Sequence, residues 1–99
     1  MAHLVIWSRR AADDLAAVAE YIAQDSEVYA SAVVRNILRK AQVLDEFPLI
    51  GRVVPEFFDE SIREIFAYSY RIIYKVTSES VEIAAVVHAK RELNLAIKP

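Results

Sequence analysis

Apolar residues along this chain follow two different periods. Between Ala11 and Leu44 they recur at the spacing of a buried helical stripe; between Ile62 and His88 they run in short alternating or continuous stretches. Leu15, Val18, Ala19 and Ile22 form one stripe. Ser8 stands before it as an N-cap, with Asp13 and Asp14 near the first turns, where negative charge suits the helix dipole. A second stripe runs through Ala30, Val33, Val34, Ile37, Ala41 and Leu44, and Asp25 or Ser26 caps it. Phe47 ends that helix, because the residue before Pro48 is pushed out of the α region. With only a residue or two between them, the helices form an antiparallel hairpin.

Residues 3–7 are almost wholly apolar and read as a buried strand. Ile62–Ala67, Tyr70–Val76 and residues 81–88 read as three consecutive strands, the last two joined by the polar loop Thr77-Ser78-Glu79-Ser80. Setting Val76 opposite Val81 places Lys75 opposite Glu82, an opposite-charge pair that supports this register. It predicts a dry face of Tyr70, Ile72, Tyr74 and Val76 with Val81, Ile83, Ala85 and Val87. The mixed face then carries Arg71, Ile73 and Lys75 with Glu82, Ala84, Val86 and His88, which puts Arg71 near His88. The expected fold is α+β, in the order β-α-α-β-β-β: a two-helix hairpin on a small, mostly antiparallel sheet, with a short C-terminal helix or tail.

Ninety-nine residues make one domain, 1–99. No apolar run reaches the length of a membrane span, and the N-terminal stretch lacks the order of a signal peptide. The absence of cysteine fits a reducing cytoplasm. His3 and His88 lie at opposite ends of the chain, so no metal is expected. A lone Gly51 excludes the glycine-rich nucleotide-binding loops, and no cofactor is expected. A net charge of −2 argues against a protein that grips nucleic acid through its phosphates, and no sequence-specific DNA binding is expected.

The residues left with chemical potential are few. Arg71, in mid-strand between Tyr70 and Tyr74, has the geometry to hold phosphate or carboxylate bidentately. His88 and Arg91 lie together past the last strand, and His88 is of a type that exchanges protons near neutral pH. Glu56 and Glu64 are candidate general bases, and Arg52 follows Gly51 as a loop anchor. Arg63 joins Arg71 and Lys75 only if the connection at Tyr68-Ser69 is three residues long, not two. From spacing alone these groups support a small anion-binding face.

In this order the residues resemble the toxins of the RelE/ParE superfamily, partners in bacterial type II toxin–antitoxin (plasmid stabilisation) modules. The resemblance rests on Trp7-Ser8 with residues 12–15, Tyr21-Ile22, Leu44 and Pro48-x-x-Gly51-Arg52. It continues through Val54-Pro55-Glu56, Ile62-Arg63-Glu64, Tyr70-Arg71-Ile72-Ile73-Tyr74 and Val87-His88-x-x-Arg91. It implies a small cytoplasmic toxin held inactive by a cognate antitoxin, whose disordered tail folds onto it. Leu15, Val18, Ile22, Val34 and Ile37 are the implied antitoxin contacts, and Arg63, Arg71, Lys75 and Arg91 the implied target contacts. The target is DNA gyrase in the ParE-like branch, and messenger RNA in the ribosomal A site in the RelE-like branch.

In the RNA-cutting branch, Arg71 and Arg91 match the arginines that hold and polarise phosphate, and Glu56 with His88 match a Glu–His pair used by some members. This chain departs from that branch where its lysines stand, having Ile62 and Glu64, and where its tyrosine stands, having Ile97. Residues 61–91 carry five cations against three anions, a surplus too small to suit a protein lodged among ribosomal phosphates. The expectation is therefore a gyrase inhibitor, with a ribosome-dependent endoribonuclease as the alternative.

Overall fold

The computed structural model describes residues 2–90. Arg91, Ile97 and the expected terminal helix or tail lie outside the described residues. Strand β1 (Leu4–Trp7) leads into α1 (Arg9–Ala23) and α2 (Glu27–Gln42), which ends in a 3₁₀ turn, Val43–Asp45. A two-residue β2 (Arg52–Val53), β3 (Ile62–Ala67), β4 (Tyr70–Val76) and β5 (Ser80–His88) follow. The five strands lie in the order β1-β5-β4-β3-β2, with β1 parallel to β5 and every other pair antiparallel. The α+β layout read from the chain is therefore present, with one addition: Arg52 and Val53 pair with β3 as a short edge strand.

Both helices begin at serine caps. Ser8 Oγ accepts from the Ala11 N–H and Ser26 Oγ from the Tyr29 N–H, each at 3.0 Å, satisfying donors that a helix start otherwise leaves orphaned. Arg9 and Arg10, unfavourably placed for the dipole, pair four residues on with Asp13 and Asp14. Where β1 ends, α1 takes over the edge of β5. Ser8 Oγ donates to the Ala84 carbonyl, and Asp14 accepts from the Val86 N–H at 3.0 Å.

The helical stripes seat on one face of the sheet. Val18, Val33, Ile37, Ala41 and Leu44 meet Ile72, Tyr74, Val81, Ile83 and Val86 there, with Leu15 and Ile22 packed at the margin. Burying these side chains is the main favourable contribution to folding. The opposite face, mixed in polarity, is not left bare. The segment between β2 and β3 folds across part of it, and Val54 and Phe57 cover Ile62, Ile73, Ala85 and Val87 as a second small core.

The register of the β4–β5 ribbon corrects the expected faces. Val76 does face Val81 and Lys75 does face Glu82, but Tyr74 pairs with Ile83 and Ile73 with Ala85, leaving Ala84 as an extra residue. Beyond this bulge each β5 side chain points to the other side. Arg71 comes opposite Val87, and His88 comes opposite Tyr70. Arg71 and His88, expected to meet, stand on opposite surfaces of the sheet.

Candidate functional site

The face away from the helices holds a four-residue ion cluster. β2, β3 and β4 present Arg52, Glu64 and Arg71, because Arg52 pairs with Glu64 and Arg71 with Phe66 in register. Glu64 is fully buried, and its carboxylate bridges both arginines: Oε1 accepts from Arg71 Nε at 2.5 Å, Oε2 from Arg52 Nε at 2.6 Å. Arg52 also lies over the Phe66 ring, 5.2 Å from its centroid. Glu56, on the segment that crosses this face, closes the cluster with two parallel bonds of 3.0 Å to the Arg71 Nη1 and Nη2 groups. Two positive and two negative charges thus neutralise one another. Both Glu56 and Glu64, read as candidate bases, are committed to arginine.

Arg71 holds the Glu56 carboxyl below the usual glutamate range by hydrogen bonding, outweighing the opposing effect of desolvation. The same bond to Glu56 raises the already high pKa of Arg71. Because the folded value of Glu56 is depressed, its contribution to stability is complete above the ordinary glutamate pKa of 4.5. That contribution is lost as pH falls through the lowered value. Denaturant titrations of wild type and Glu56→Gln are therefore expected to differ at pH 7 and to converge in acid. A gap that stayed constant down to pH 2 would contradict the pairing.

A second set of bonds fixes the loop before β2. The buried Tyr74 hydroxyl accepts from the Gly51 N–H at 2.9 Å, and burial pushes its phenol pKa up. Arg63 was expected beside Arg71 only with a longer β3–β4 connection. The connection is the two residues Tyr68 and Ser69, and Arg63 stands opposite Tyr74. From there it donates to the carbonyls of Gly51, Leu49 and Glu60. A Cβ on Gly51 would fall 2.5 Å from both the Glu64 carbonyl oxygen and the Tyr74 hydroxyl. Gly51→Ala is therefore expected to cost about 1–3 kcal/mol through overpacking, read as a lower denaturation midpoint with an unchanged slope.

The other sequence candidates separate. Lys75 shares the face of Arg71, opposite Ile62 and Glu82. His88 is on the helix side, edge-on to the Tyr70 ring at 5.7 Å, and Arg91 lies outside the described residues. The implied antitoxin contacts differ in burial. Ile37 is completely buried and Val18 nearly so, Leu15 and Ile22 are partly buried against the same core, Val18 and Ile22 also line a groove beside the β3–β4 turn, and Val34 lines an outer groove between the helices. The apolar stripe seats the helices on the sheet. Among the described residues no group of His, Cys, Asp or Glu has a metal-binding arrangement, and no helix is long and apolar enough to cross a membrane.

The described residues thus form a helix hairpin on a five-stranded, mostly antiparallel sheet, with a neutral ion cluster on the sheet's other face. The chain matches a toxin–antitoxin structure described as the chromosomal ParDE system from P. aeruginosa, with a TM-score of 0.73 at 19% identity, covering 89% of this chain and 97% of the other. It is 33% identical over 88 residues to Toxin RelE2 of Caulobacter vibrioides, spanning 88% of this chain and 96% of that protein. Residues 5–93 match the model of the ParE toxin of type II toxin–antitoxin systems, parDE, and the chain belongs to that family. Membership implies a cognate antitoxin as partner.

Proposed function

We propose that this chain is a cytoplasmic toxin that inhibits DNA gyrase by direct binding and is silenced by its antitoxin. The observation that carries this reading is the state of Arg71. Its Nε is taken by Glu64 and both its Nη groups by Glu56. A phosphate clamp works through a free guanidinium fork, and here phosphate would have to displace a bidentate carboxylate. With His88 on the other surface, no histidine stands beside that fork among the described residues, and the two carboxylates that do, Glu56 and Glu64, are engaged by arginine. Gyrase is a protein, recognised through surface complementarity, and asks for no phosphate clamp.

Purified toxin is expected to block supercoiling of relaxed plasmid by gyrase, and added antitoxin to restore it. Undiminished supercoiling at a large excess of toxin would eliminate the proposal. The second reading, a ribosome-dependent endoribonuclease, draws on Glu56 and Arg71 meeting on one face at 3.0 Å. It requires codon-positioned cleavage of messenger RNA on induction, abolished by Arg71→Ala in a variant shown by thermal melting to fold. Reading the DNA-damage response and transcript integrity in one induced culture separates the two.

A further inference from the structure

The segment that crosses the sheet between β2 and β3 carries one large side chain that the fold does not use. Phe58 is 95% exposed, more than any other large apolar residue among those described. It also sits at φ 51°, in the left-handed region. A bulky residue there is a steric outlier, whereas glycine and asparagine adopt that conformation readily. Its neighbour behaves in the opposite way, for Phe57 packs on the second core. Phe58 therefore strains the backbone and adds no packing.

The residues on either side hold it in that state. Before it, the Val54 N–H donates to the Ile62 carbonyl at 3.0 Å and the Phe57 N–H to the Val54 carbonyl at 3.3 Å. Glu56 is locked onto the Arg71 fork by its two bonds. After it, the Asp59 carboxylate accepts from the Ser61 N–H at 2.9 Å and from the Ser61 hydroxyl at 2.7 Å. The Asp59 carbonyl accepts from the Ile62 N–H at 3.0 Å. Strain at a bulky residue persists only where the surroundings impose it, and it gathers at sites of contact. A ring held outward from so fixed a turn loses little conformational freedom on binding.

Charge selects the partner. Residues 54–61 hold three carboxylates, Glu56, Asp59 and Glu60, and no cation. Arg71 neutralises Glu56, and Arg63 donates to the Glu60 carbonyl. The Ser61 hydrogen bonds, and to a smaller degree the charge of Lys75, hold the Asp59 carboxyl below its usual range. Arg52 is matched by Glu64. The surroundings of Phe58 thus offer no surplus of positive charge to a phosphate backbone. An aromatic ring on electrically balanced ground fits an apolar pocket of a protein, the usual seat of a binding hot spot. Resting on the gyrase reading, we infer that Phe58 anchors the toxin to its target, its ring entering an apolar pocket on gyrase.

The test measures gyrase supercoiling of relaxed plasmid against the purified full chain, as wild type and as Phe58→Asn. Asparagine tolerates the left-handed region, so this variant removes the ring without straining the turn. Its thermal midpoint is expected to equal or exceed that of wild type, and its affinity for the cognate antitoxin to stay within about twofold, as for other exposed positions. The toxin concentration for half-inhibition should rise about tenfold or more, the loss usual for an aromatic anchor. Phe58→Leu, which keeps an apolar side chain, should fall between the two.

Half-inhibition by Phe58→Asn within about twofold of wild type would overturn the inference. A midpoint lowered by more than about 5 °C would do so too, by making the ring part of the fold. An equal loss of antitoxin affinity would give the ring to the antitoxin instead. Wild-type binding to phosphatidylcholine vesicles, or self-association, that Phe58→Asn abolishes would give it to a lipid surface or to a second copy, and either result overturns the inference. Wild type that leaves supercoiling intact removes the gyrase reading and the anchor with it. Wild type and variant that inhibit equally remove the anchor alone.

Discussion

Replacing Glu64 with alanine is expected to cost about 3–5 kcal/mol of folding stability, the range for removing one partner of a buried ion pair. The size follows from what the side chain leaves behind. Glu64 has no solvent-exposed surface, and its carboxylate is the bridge between Arg52 and Arg71. Arg71 is itself only 6% exposed, so without Glu64 its Nε–H loses its acceptor in a site water reaches poorly. Arg52 is largely exposed and can turn to solvent, so most of the cost falls on Arg71. Thermal melting reads this as a drop of roughly 4–8 °C for every kcal/mol in a domain of this size. Glu64→Gln, which keeps an acceptor oxygen without the charge, should lie between wild type and alanine. A midpoint for Glu64→Ala within 3 °C of wild type would show that the bridge contributes little.

Ile37→Ala should destabilise the fold by about 2–5 kcal/mol, the usual range for emptying a buried aliphatic site. Ile37 is fully enclosed where α2 lies on the sheet, and the surrounding strands have little freedom to collapse into the space. The prediction also separates the two roles that the helical stripe suggests. A residue that contacts the antitoxin would weaken the complex and leave the free toxin as stable as before. Ile37 should do the reverse: the free toxin's denaturation midpoint falls, while affinity, measured where the variant is folded, is preserved. An intact midpoint with weakened antitoxin binding would return Ile37 to the surface and contradict the packing.

Much of the architecture is legible in the chain because it depends on short-range rules. Serine caps, helical stripes and a proline stop mark the hairpin, and the Lys75–Glu82 pair sets the turn-proximal half of the ribbon. The far half of that ribbon is not legible. Ala84, Ala85, Val86 and Val87 are four apolar residues in a row, so the pattern contains no alternation to show that Ala84 is extra. One inserted residue moves His88 to the helix side and separates it from Arg71. Arg63 depended in the same way on a single residue of loop length, and the shorter connection sends it to the Gly51 carbonyl.

The ion cluster shows the same division. Arg71 and Glu56 stand out as residue types able to handle an anion, but that they would satisfy each other is invisible along the chain, where fifteen positions separate them. Glu64 carried a clue, the one carboxylate in the strand Ile62–Ala67, followed directly by Ile65 and Phe66. Such a group is buried only with a partner, and the partner's identity depends on how β2 and β4 pair with β3.

By itself the sequence determined the layers: which residues form the two helices, which form the ribbon, and which stripe of each helix goes inward. Periodicity and capping act over a few residues and need no knowledge of the rest of the chain. Only the tertiary structure decided which charged groups meet. Strand register and the path of the segment between β2 and β3 set those distances, and a shift of one residue reverses a side chain's face at almost no change in composition or pattern.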